Sequence, residues 1–473
     1  MKVLISLITA LGLLFAGILA VIRGGGGDET PPPVTEAPPI AASDGRTFIP
    51  PAMPAGPHDA QSIVAAYNLS RVLEMPTTER GVWGGQQTRI VRQGGDLYVL
   101  YGVVDAQDNV NDWAGGDCDY ALYRYSSVRD EWTYFYTLRS YEVPGLHAAA
   151  DGNVYAAYVH ARGLGVLEYD PNTDKITLRD SGVYWPATQE RDHWSYMSTG
   201  VSQGRYIWFQ GNGNLNSRGR PGGMAFYRYD TVTRTFSTGA NQRWLVDYRH
   251  CYNYVLDDRN GGLIIAGGRD IFWDASEWKQ PEGVFDAIFD EINYWTFKDD
   301  VLSDIHRVDK AMQGRDCAVP NAHMGSGGDA YLDLDGNLHI LYFVISQSTG
   351  GRAQQWHAVY KDGVEIKKEC FLDDGNQHSL RLIEDSAGQL YLLDIPYNSH
   401  ILRLYTLDKQ HNFSEPRLLP IGDAQDEGTN FGLQYAGMSV TAPRSGSAPA
   451  DFVDVIYPNA DRTNWIYFRL RLR

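Results

Sequence analysis

An imidazole opens four segments of the sequence that share one pattern: a glycine-containing turn comes ten to thirteen residues later, and a short apolar strand follows. The four residues are His193, His250, His323 and His378. His147 opens a shorter version of this pattern. Because a repeated unit places the same position at the same structural point, we expect these rings to gather in one region. Imidazole can serve there as a general base or as a metal ligand.

The strands after these turns belong to a longer internal repeat. Seven copies of a turn followed by a short apolar strand, 52 to 75 residues apart, begin at Asp96, Asn153, Arg205, Gly262, Asn337, Gln389 and Asp451. Repeats of this length predict a β-propeller, and strand-like runs between the copies supply about four strands per unit, as a blade requires. We therefore expect an all-β chain folded as a seven-bladed β-propeller. A pair of β-sandwiches fits seven comparable spacings less well.

The N-terminal residues differ in composition from the rest of the chain. Residues 3–22 are apolar, a length that suits either a cleaved signal peptide or a membrane anchor. A Gly- and Pro-rich stretch follows and is typical of a flexible linker. We predict a signal peptide or membrane anchor over residues 1–23, a linker over 24–58 and the catalytic propeller over 59–473. The protein is then exported, as a secreted, periplasmic or surface-anchored protein.

Two local elements are predicted within the propeller. The segment SIVAAYNLSRVLEMP, from Ser62, is expected to supply the outer strand of the last blade and so close the ring. The segment VFDAIFDEINYW, from Val284, is predicted to form a short helix. A single long loop between blades four and five is the alternative explanation for the longest interval in the repeat.

Net charge limits the choice of partner. The chain has 41 Lys and Arg against 58 Asp and Glu, a net charge of −17, which argues against nucleic acid. An anionic sugar polymer remains compatible, because binding depends on local charge. Arginines near predicted loops or strand ends are Arg218, Arg220, Arg249, Arg269 and Arg315. We expect a monomer that touches a membrane only through its N-terminal tether.

The four cysteines lack a CxxC pair. Export permits a disulfide, and Cys251 with Cys317 is one option. The alternative is a structural zinc or calcium ion, since thiolate and imidazole ligands are available. Its candidate ligands are Cys251, Cys317, His323, Cys370 and His378. We expect that the protein needs no cofactor for its chemistry.

Propeller geometry places many of these residues together. The first strand of each blade begins, and the second ends, at the same end of the disc. First-strand starts contribute His147, His193, His250, Cys251, Tyr252, Tyr254, His323 and His378. Second-strand ends contribute His160, Gln210, Asn212, Arg269 and Asp270. Such a collection on a rigid scaffold predicts a binding or catalytic site, although any single histidine here could simply cap a loop carbonyl.

The chain resembles the seven-bladed propeller polysaccharide lyases of the ulvan lyase type in three segments: HWSYMSTGVSQGRYIWFQGNGN, RHCYNYVLDDRNGGLIIAGGRD and NAHMGSGGDAYLDLDGNLHILYF. The resemblance implies that a His from one blade acts with a Tyr and an Arg from the next. By position these are His193, Tyr254 and Arg269, with His323 on the following blade. The family's second His falls near Gln210 or Asn212. Tyr252 competes with Tyr254, because residues two apart on a strand face the same way.

The resemblance implies β-elimination on a uronic-acid-containing, ulvan-like polysaccharide. The proton at C5 becomes acidic only when the neighbouring carboxylate is neutralised, and Arg269 suits this because its guanidinium is always charged and binds bidentately. Asn212 or Gln210 could share that task. His193 is then the base and Tyr254 the acid, or one Tyr serves as both. The further substrate-binding candidates are His147, His160, Tyr196, Arg249, His250, Tyr252 and His323.

Two other functions remain open. A propeller glycoside hydrolase needs two carboxylates at the mouth, and Asp192, Asp270 and Asp316 are available. The SxDxGxTW boxes of sialidase-type propellers are absent, however. A non-catalytic propeller that binds carbohydrate or protein is the other alternative, since a fold alone does not imply activity.

Overall fold

Seven antiparallel sheets of four or five strands make up the fold, which is the seven-bladed β-propeller predicted from the repeat. The structure is a computed structural model. It describes residues 62–74, 86–102, 118–160, 163–181, 195–213, 222–237, 243–246, 249–272, 287–310, 323–325, 328–345, 352–396, 401–420, 438–458 and 464–473. The predicted leader, the whole of the predicted linker and residues 59–61 lie outside these residues. Within the described part of the chain, no helix has the length and apolar character that a membrane span needs.

The first four blades follow one another along the chain. Blade one contains β2 (Ile90–Gln93), β3 (Asp96–Gly102), β4 (Cys118–Ser126) and β5 (Glu131–Ser140). Blade two contains β6 (Gly145–Ala148), β7 (Val154–His160), β8 (Gly163–Asp170) and β9 (Lys175–Asp180). Blade three contains β10 (Ser195–Ser202), β11 (Tyr206–Gly213), β12 (Gly222–Asp230), β13 (Thr235–Ser237) and β14 (Arg243–Val246). Blade four contains β15 (Arg249–Asp257), β16 (Leu263–Phe272), β17 (Ala287–Lys298), β18 (Val301–Leu302) and β19 (His306–Lys310).

The last three blades complete the ring. Blade five contains β20 (His323–Gly325), β21 (Ala330–Leu332), β22 (Asn337–Ile345), β23 (Ala353–Lys361) and β24 (Val364–Gly375). Blade six contains β25 (His378–Glu384), β26 (Leu390–Pro396), β27 (Ile401–Thr406) and β28 (Arg417–Pro420). Blade seven contains β29 (Ser439–Val440), β30 (Phe452–Pro458), β31 (Trp465–Arg471) and β1 (Ile63–Asn68). All seven copies of the sequence repeat correspond to the second strands β3, β7, β11, β16, β22, β26 and β30.

The N-terminal strand closes the ring, as the sequence predicts. β1 pairs antiparallel with β31 and is the outermost strand of blade seven. A one-turn helix, α1 (Leu69–Val72), follows it, and the Asn68 side chain caps this helix by accepting from the Arg71 N–H at 3.1 Å. Leu69 of α1 is buried in the core between blades seven and one. The start of the described chain is thereby fixed to its last strand, and β1 covers the edge that β31 would otherwise expose.

The helix predicted from Val284 is wrong, because the described residues of that segment form strand β17. β17 lies inside its sheet, and apolar side chains on both of its faces meet a neighbouring blade. Ile292 and Tyr294 pack toward blade five, whereas Trp295 and Phe297 pack toward blade three. A strand buried on both faces loses the alternation of polar and apolar residues, and its apolar run then resembles a helix.

Each of the seven interfaces between neighbouring blades contains its own hydrophobic cluster. The cluster between blades two and three, for example, packs Tyr155 and Val166 against Met197 and Phe209. Burial of apolar side chains between neighbouring blades therefore stabilises the ring.

We predict that Leu69→Ala destabilises the propeller by about 2–5 kcal/mol, because it deletes a fully buried side chain where the ring closes. Val64→Ala is the matched control, since Val64 lies in β1 but is 45% exposed, and it should change stability by less than about 1 kcal/mol. Chemical denaturation of both variants measures the difference. Equal effects would show that the closure does not depend on this packing.

Candidate functional site

The described strands bring most of the predicted site residues to one end of the disc, which we call the mouth. Three first-strand starts pair there with second-strand ends: His250 with Arg269, His323 with Ile345 and His378 with Pro396. In blade three Ser195 pairs with Asn212 in the same way. The antiparallel register thus gives the arrangement that the repeat predicts.

Some of the predicted residues can be placed only in part or not at all. The predicted positions outside the described residues are Asp192, His193, Arg218, Arg220, Arg315, Asp316 and Cys317. The backbone alone is described for Tyr196, Asn212, Arg249 and His323. All four of these belong to strands at the mouth, and Arg249 pairs with Asp270.

A row of three charged side chains crosses blade four at the mouth, beside the buried His250. Arg269 of β16 lies opposite His250 of β15 on one side and opposite Glu291 of β17 on the other, and Glu291 lies opposite Lys310 of β19. Residues directly opposite in antiparallel strands share one face of the sheet. The sequence gives no local signal for this row, because its members lie 19 or more residues apart.

Two buried carboxylates fix the guanidinium of Arg269. Its Nε donates to Asp290 at 2.8 Å, and one terminal nitrogen donates to the second oxygen of the same carboxylate. That nitrogen also lies 3.1 Å from Glu291, which Arg307 approaches at 3.1 Å and Lys310 at 4.0 Å. Three cations against two carboxylates leave one net positive charge in this described cluster. The hydrogen bonds to Asp290 and the ion pair with Glu291 hold the planar guanidinium of Arg269 rigidly at the mouth.

A β-bulge separates the two tyrosines that compete for the catalytic role. The register of β15 against β16 shifts between Cys251 and Tyr254, and Tyr252 adopts φ +54°. Gly267 makes room for the bulge, because a Cβ there would lie 2.3 Å from Asn253 Oδ1. The expectation that Tyr252 and Tyr254 face the same way is therefore wrong, since a bulge inserts a residue and breaks the alternation.

Tyr254 points into the interior of the disc. It is 3% exposed and packs in the core between blades four and five. Its hydroxyl donates to the Gly328 carbonyl at 2.6 Å, and burial raises the pKa of that hydroxyl. This placement does not fit the catalytic acid expected from the sequence, because a polymer at the mouth cannot reach the hydroxyl. Tyr252 is partly exposed, with its ring centroid 5.8 Å from that of Phe289.

His250 and Gln210 are buried and join blades three and four. His250 Nδ1 is hydrogen-bonded to Asn253 Oδ1, and Asn253 Nδ2 donates to Gln210 Oε1 at 2.6 Å. Burial lowers the pKa of His250 to about 3, so the ring is neutral. Asn253 was not singled out from the sequence, and it connects two residues that were. This network positions the mouth strands, and both predicted binding residues are buried too deeply to contact a polymer directly.

His147 lies away from the mouth, contrary to expectation. It pairs with Tyr155, one residue pair from the turn between β6 and β7, because the first strand of blade two is short and its second strand runs on to His160. Its Nε2 is 2.9 Å from Thr199 Oγ1, which donates to Gln87 Oε1 at 2.6 Å. Burial lowers the pKa of His147 to about 3. His147 therefore links blades one, two and three.

His160 is at the mouth end of β7 and is partly exposed. Its Nε2 lies 3.5 Å from Asp180 Oδ1, and its ring packs against Tyr158 at a centroid distance of 5.5 Å. Asp270, considered for hydrolysis, is buried, and Cys251 Sγ donates to it at 3.7 Å. Asp270 is therefore placed to stabilise the strands of blade four and does not present its carboxylate at the surface of the mouth.

His378 is held between two carboxylates. Its Nδ1 lies 2.6 Å from Asp394 and its Nε2 lies 3.0 Å from Asp374, so both ring nitrogens are occupied. Burial alone would lower its pKa, but the charge of Asp394 and the hydrogen bonds to both carboxylates raise it to about 9. Its two partners are carboxylates, and neither belongs to the cysteine and histidine set proposed from the sequence as a metal site.

The two described cysteines of the metal site predicted from the sequence, Cys251 and Cys370, lie on different blades. Cys370 is on β24, the outermost strand of blade five, with its Sγ 3.6 Å from the Leu372 carbonyl. Cys251 is on the innermost strand of blade four. Among the described side chains, the converging group of potential metal ligands is a different one: Asp333, His339 and His411.

The fold places the chain among the β-propellers. No protein-family model matches the sequence, and no curated protein matches it. The solved structure of the polysaccharide lyase Uly1 is similar, with a TM-score of 0.52 and 10% identity over 82% of this chain and 90% of that one.

Two further solved structures give weaker matches. The β-propeller domain of the Trilobed protease from Pyrococcus furiosus matches with a TM-score of 0.42 and 9% identity, over 84% of this chain and 98% of that one. The N-terminal domain of Nup159 matches with a TM-score of 0.42 and 8% identity, over 88% and 98% of the two chains. The likeness to Uly1 establishes the propeller fold, and function must be argued from the residues.

We predict that the propeller loses stability as pH rises from about 6.5 to about 9, because the pKa of His378 is raised from 6.5 to about 9 by folding. The contribution is fully present below pH 6.5 and disappears as the folded-state ring loses its proton, a loss on the order of 3 kcal/mol. Thermal unfolding across this range should show a falling midpoint for the wild type and a flatter profile for His378→Gln. Parallel profiles would contradict the assignment.

Proposed function

We propose that the protein is a polysaccharide lyase that cleaves a uronic-acid-containing, ulvan-like anionic polysaccharide by β-elimination. One observation carries the proposal: Arg269 is held rigidly at the mouth in a cluster with net positive charge, on the blade that also presents the partly exposed Tyr252. The resemblance of the sequence to propeller lyases supports the same conclusion. Export is part of the proposal, and rests on the apolar residues 3–22.

The positive cluster suits the first requirement of β-elimination. Removal of the C5 proton builds up negative charge on the uronate carboxyl group, and a fixed cation lowers the free energy of that state. Arg269 supplies the cation, and Asp290 and Glu291 hold it so that no reorganisation is needed when the charge develops. We propose that the side chains of Asn212 and Arg249 help Arg269 to neutralise the carboxyl group, because both residues belong to strands at the mouth.

Proton transfer is assigned to Tyr252 and His193. Tyr252 is partly exposed at the bulge, whereas the Tyr254 hydroxyl is engaged with the Gly328 carbonyl. We propose that His193 takes the C5 proton and that Tyr252 donates a proton to the departing O4 oxygen. In the alternative scheme His193 lowers the pKa of Tyr252, and the Tyr252 phenolate takes the C5 proton and passes it to O4. His160, Tyr196 and His323 would contact the flanking sugars.

The direct test is to incubate the purified protein with a panel of uronic-acid polysaccharides that includes ulvan. The C4–C5 double bond made by elimination absorbs in the near ultraviolet, and a rise with one substrate would support the proposal and identify the substrate class. New reducing ends without this absorbance would mean a hydrolase. Neither signal with any substrate would favour a propeller that only binds.

We predict that Arg269→Lys lowers kcat/KM for the cleaved polysaccharide about a hundredfold, because a point charge cannot keep the bidentate geometry. Arg307→Lys is the matched control, since Arg307 approaches the same Glu291 but is 54% exposed. That variant should stay within about threefold of the wild type. Steady-state absorbance assays on both variants measure the difference, and equal activities would remove Arg269 from the site.

We predict that Tyr252→Phe lowers kcat by about a hundredfold or more, as loss of a general acid should. Tyr254→Phe should keep most activity, because the Gly328 carbonyl still accepts from Arg381 at 2.8 Å. Circular dichroism must show both variants folded. The reverse pattern, with a folded but inactive Tyr254→Phe, would return the role to Tyr254 and require the interior to open to substrate.

A further inference from the structure

Three potential metal ligands converge at the end of blades five and six opposite the mouth. Asp333 lies in the turn between β21 and β22, His339 is on β22, and His411 lies in the turn between β27 and β28. One ligand atom from each residue lies within 4.8 Å of the other two. The mouth residues His323 and His378 are at the other ends of the same two blades.

The Asp333 carboxylate and the His339 imidazole are already in contact. Asp333 Oδ2 lies 3.2 Å from His339 Nε2. The backbone and side-chain nitrogens of Asn337 each donate to the Asp333 carboxylate at 2.7 Å, which fixes its orientation. The His339 and His411 rings meet edge to face, with centroids 5.1 Å apart. The three donor groups therefore face a common point from two blades.

A third histidine, His357, contacts the ring nitrogen of His339 that points away from Asp333. His357 Nε2 lies 3.0 Å from His339 Nδ1, and the two rings are stacked with centroids 5.2 Å apart. His357 is fully buried. If His357 Nε2 accepts the Nδ1 proton of His339, the His339 Nε2 lone pair faces Asp333 and His411. Metal-binding histidines are commonly oriented by such a partner on the second nitrogen.

The surroundings of His411 are ordered and carry a net negative charge. Its turn is closed by hydrogen bonds from the backbone and side-chain nitrogens of Asn412 to the Asp408 carboxylate at 2.8 and 2.9 Å. The Lys367 ammonium donates to the His411 carbonyl at 2.7 Å, and Glu369 lies 2.8 Å from that ammonium. The nearby cation is thus paired, and Asp408 adds a further negative charge beside His411.

We propose that Asp333, His339 and His411 bind a divalent transition-metal ion of the Zn²⁺ class and thereby connect blade five to blade six. Two imidazole nitrogens and one carboxylate oxygen suit such an ion, with water as the fourth ligand, whereas Ca²⁺ prefers six or more oxygens. Zinc–ligand bonds of about 2.0–2.1 Å in a tetrahedron place ligand atoms about 3.4 Å apart. A small inward shift of the His411 turn therefore closes the site.

The site differs from the cysteine and histidine set predicted from the sequence and is independent of the proposed lyase chemistry. It lies away from the mouth, and it joins a hairpin of one blade to a hairpin of the next. Bound metal would therefore act as a cross-link between blades, and its effect should appear in the stability of the whole chain.

The test uses the full chain, stripped of metal with a chelator and titrated with Zn²⁺ by calorimetry, with His411→Ala as the variant. His306→Ala is the control, because it removes a described histidine outside the cluster. We expect the wild type and His306→Ala to bind one Zn²⁺ at this site and to unfold at a higher temperature in its presence. His411→Ala should bind that ion at least roughly a hundredfold more weakly and show no such rise. Ca²⁺ should have no effect.

Cobalt substitution separates this site from a cysteine site elsewhere in the chain. Co²⁺ bound by imidazole and carboxylate gives visible tetrahedral bands without the near-ultraviolet thiolate charge-transfer band, and His411→Ala should lose those bands. The proposal is overturned if the wild type binds no Zn²⁺, if His411→Ala binds it as tightly as the wild type, or if all bound Co²⁺ shows thiolate charge transfer.

Discussion

The pairing of β1 with β31 is the interaction on which the rest of the structure depends, because it joins the start of the described chain to its last strand. A ring of seven blades has no free interface, and each blade contacts both neighbours through its own hydrophobic cluster. Once the ring is closed, antiparallel geometry determines that first-strand starts and second-strand ends share one end of the disc. The mouth is therefore a consequence of closure and register together.

The two ends of the disc present different chemistry. At the mouth, the carboxylates of Asp290 and Glu291 hold Arg269 in place, and a bulge brings Tyr252 toward solvent. At the opposite end, Asp333, His339 and His411 converge from two blades. Between them, buried polar networks such as that of Gln210, Asn253 and His250 connect adjacent blades. Several of the histidines in the repeat are buried and belong to this interior framework.

The fold could be predicted from the sequence because its signals are local. A turn glycine followed by a short apolar run identifies the second strands of the blades, and the apolar residues from Ile63 mark the strand that closes the ring. The helix predicted from Val284 failed because β17 is buried on both faces, which only the neighbouring blades reveal.

The site could be predicted only in outline. The mouth position of Arg269 follows from counting strands, but its partners Asp290 and Glu291 come from a different strand. The difference between Tyr252 and Tyr254 depends on a bulge that Gly267 permits, and strand alternation alone predicts the opposite. His147 was misplaced because the first strand of blade two is short, so its position relative to the turn differs from that of the other histidines.

The central claim is that the mouth cleaves a uronic-acid polymer by elimination. The most direct measurement is mass spectrometry of the oligosaccharides released from a polysaccharide that the protein degrades. Elimination adds no water, so the account predicts products that each lack one water relative to the hydrolysed oligosaccharide and carry an unsaturated sugar at the non-reducing end. Products that have gained a water at each cleaved bond would contradict it.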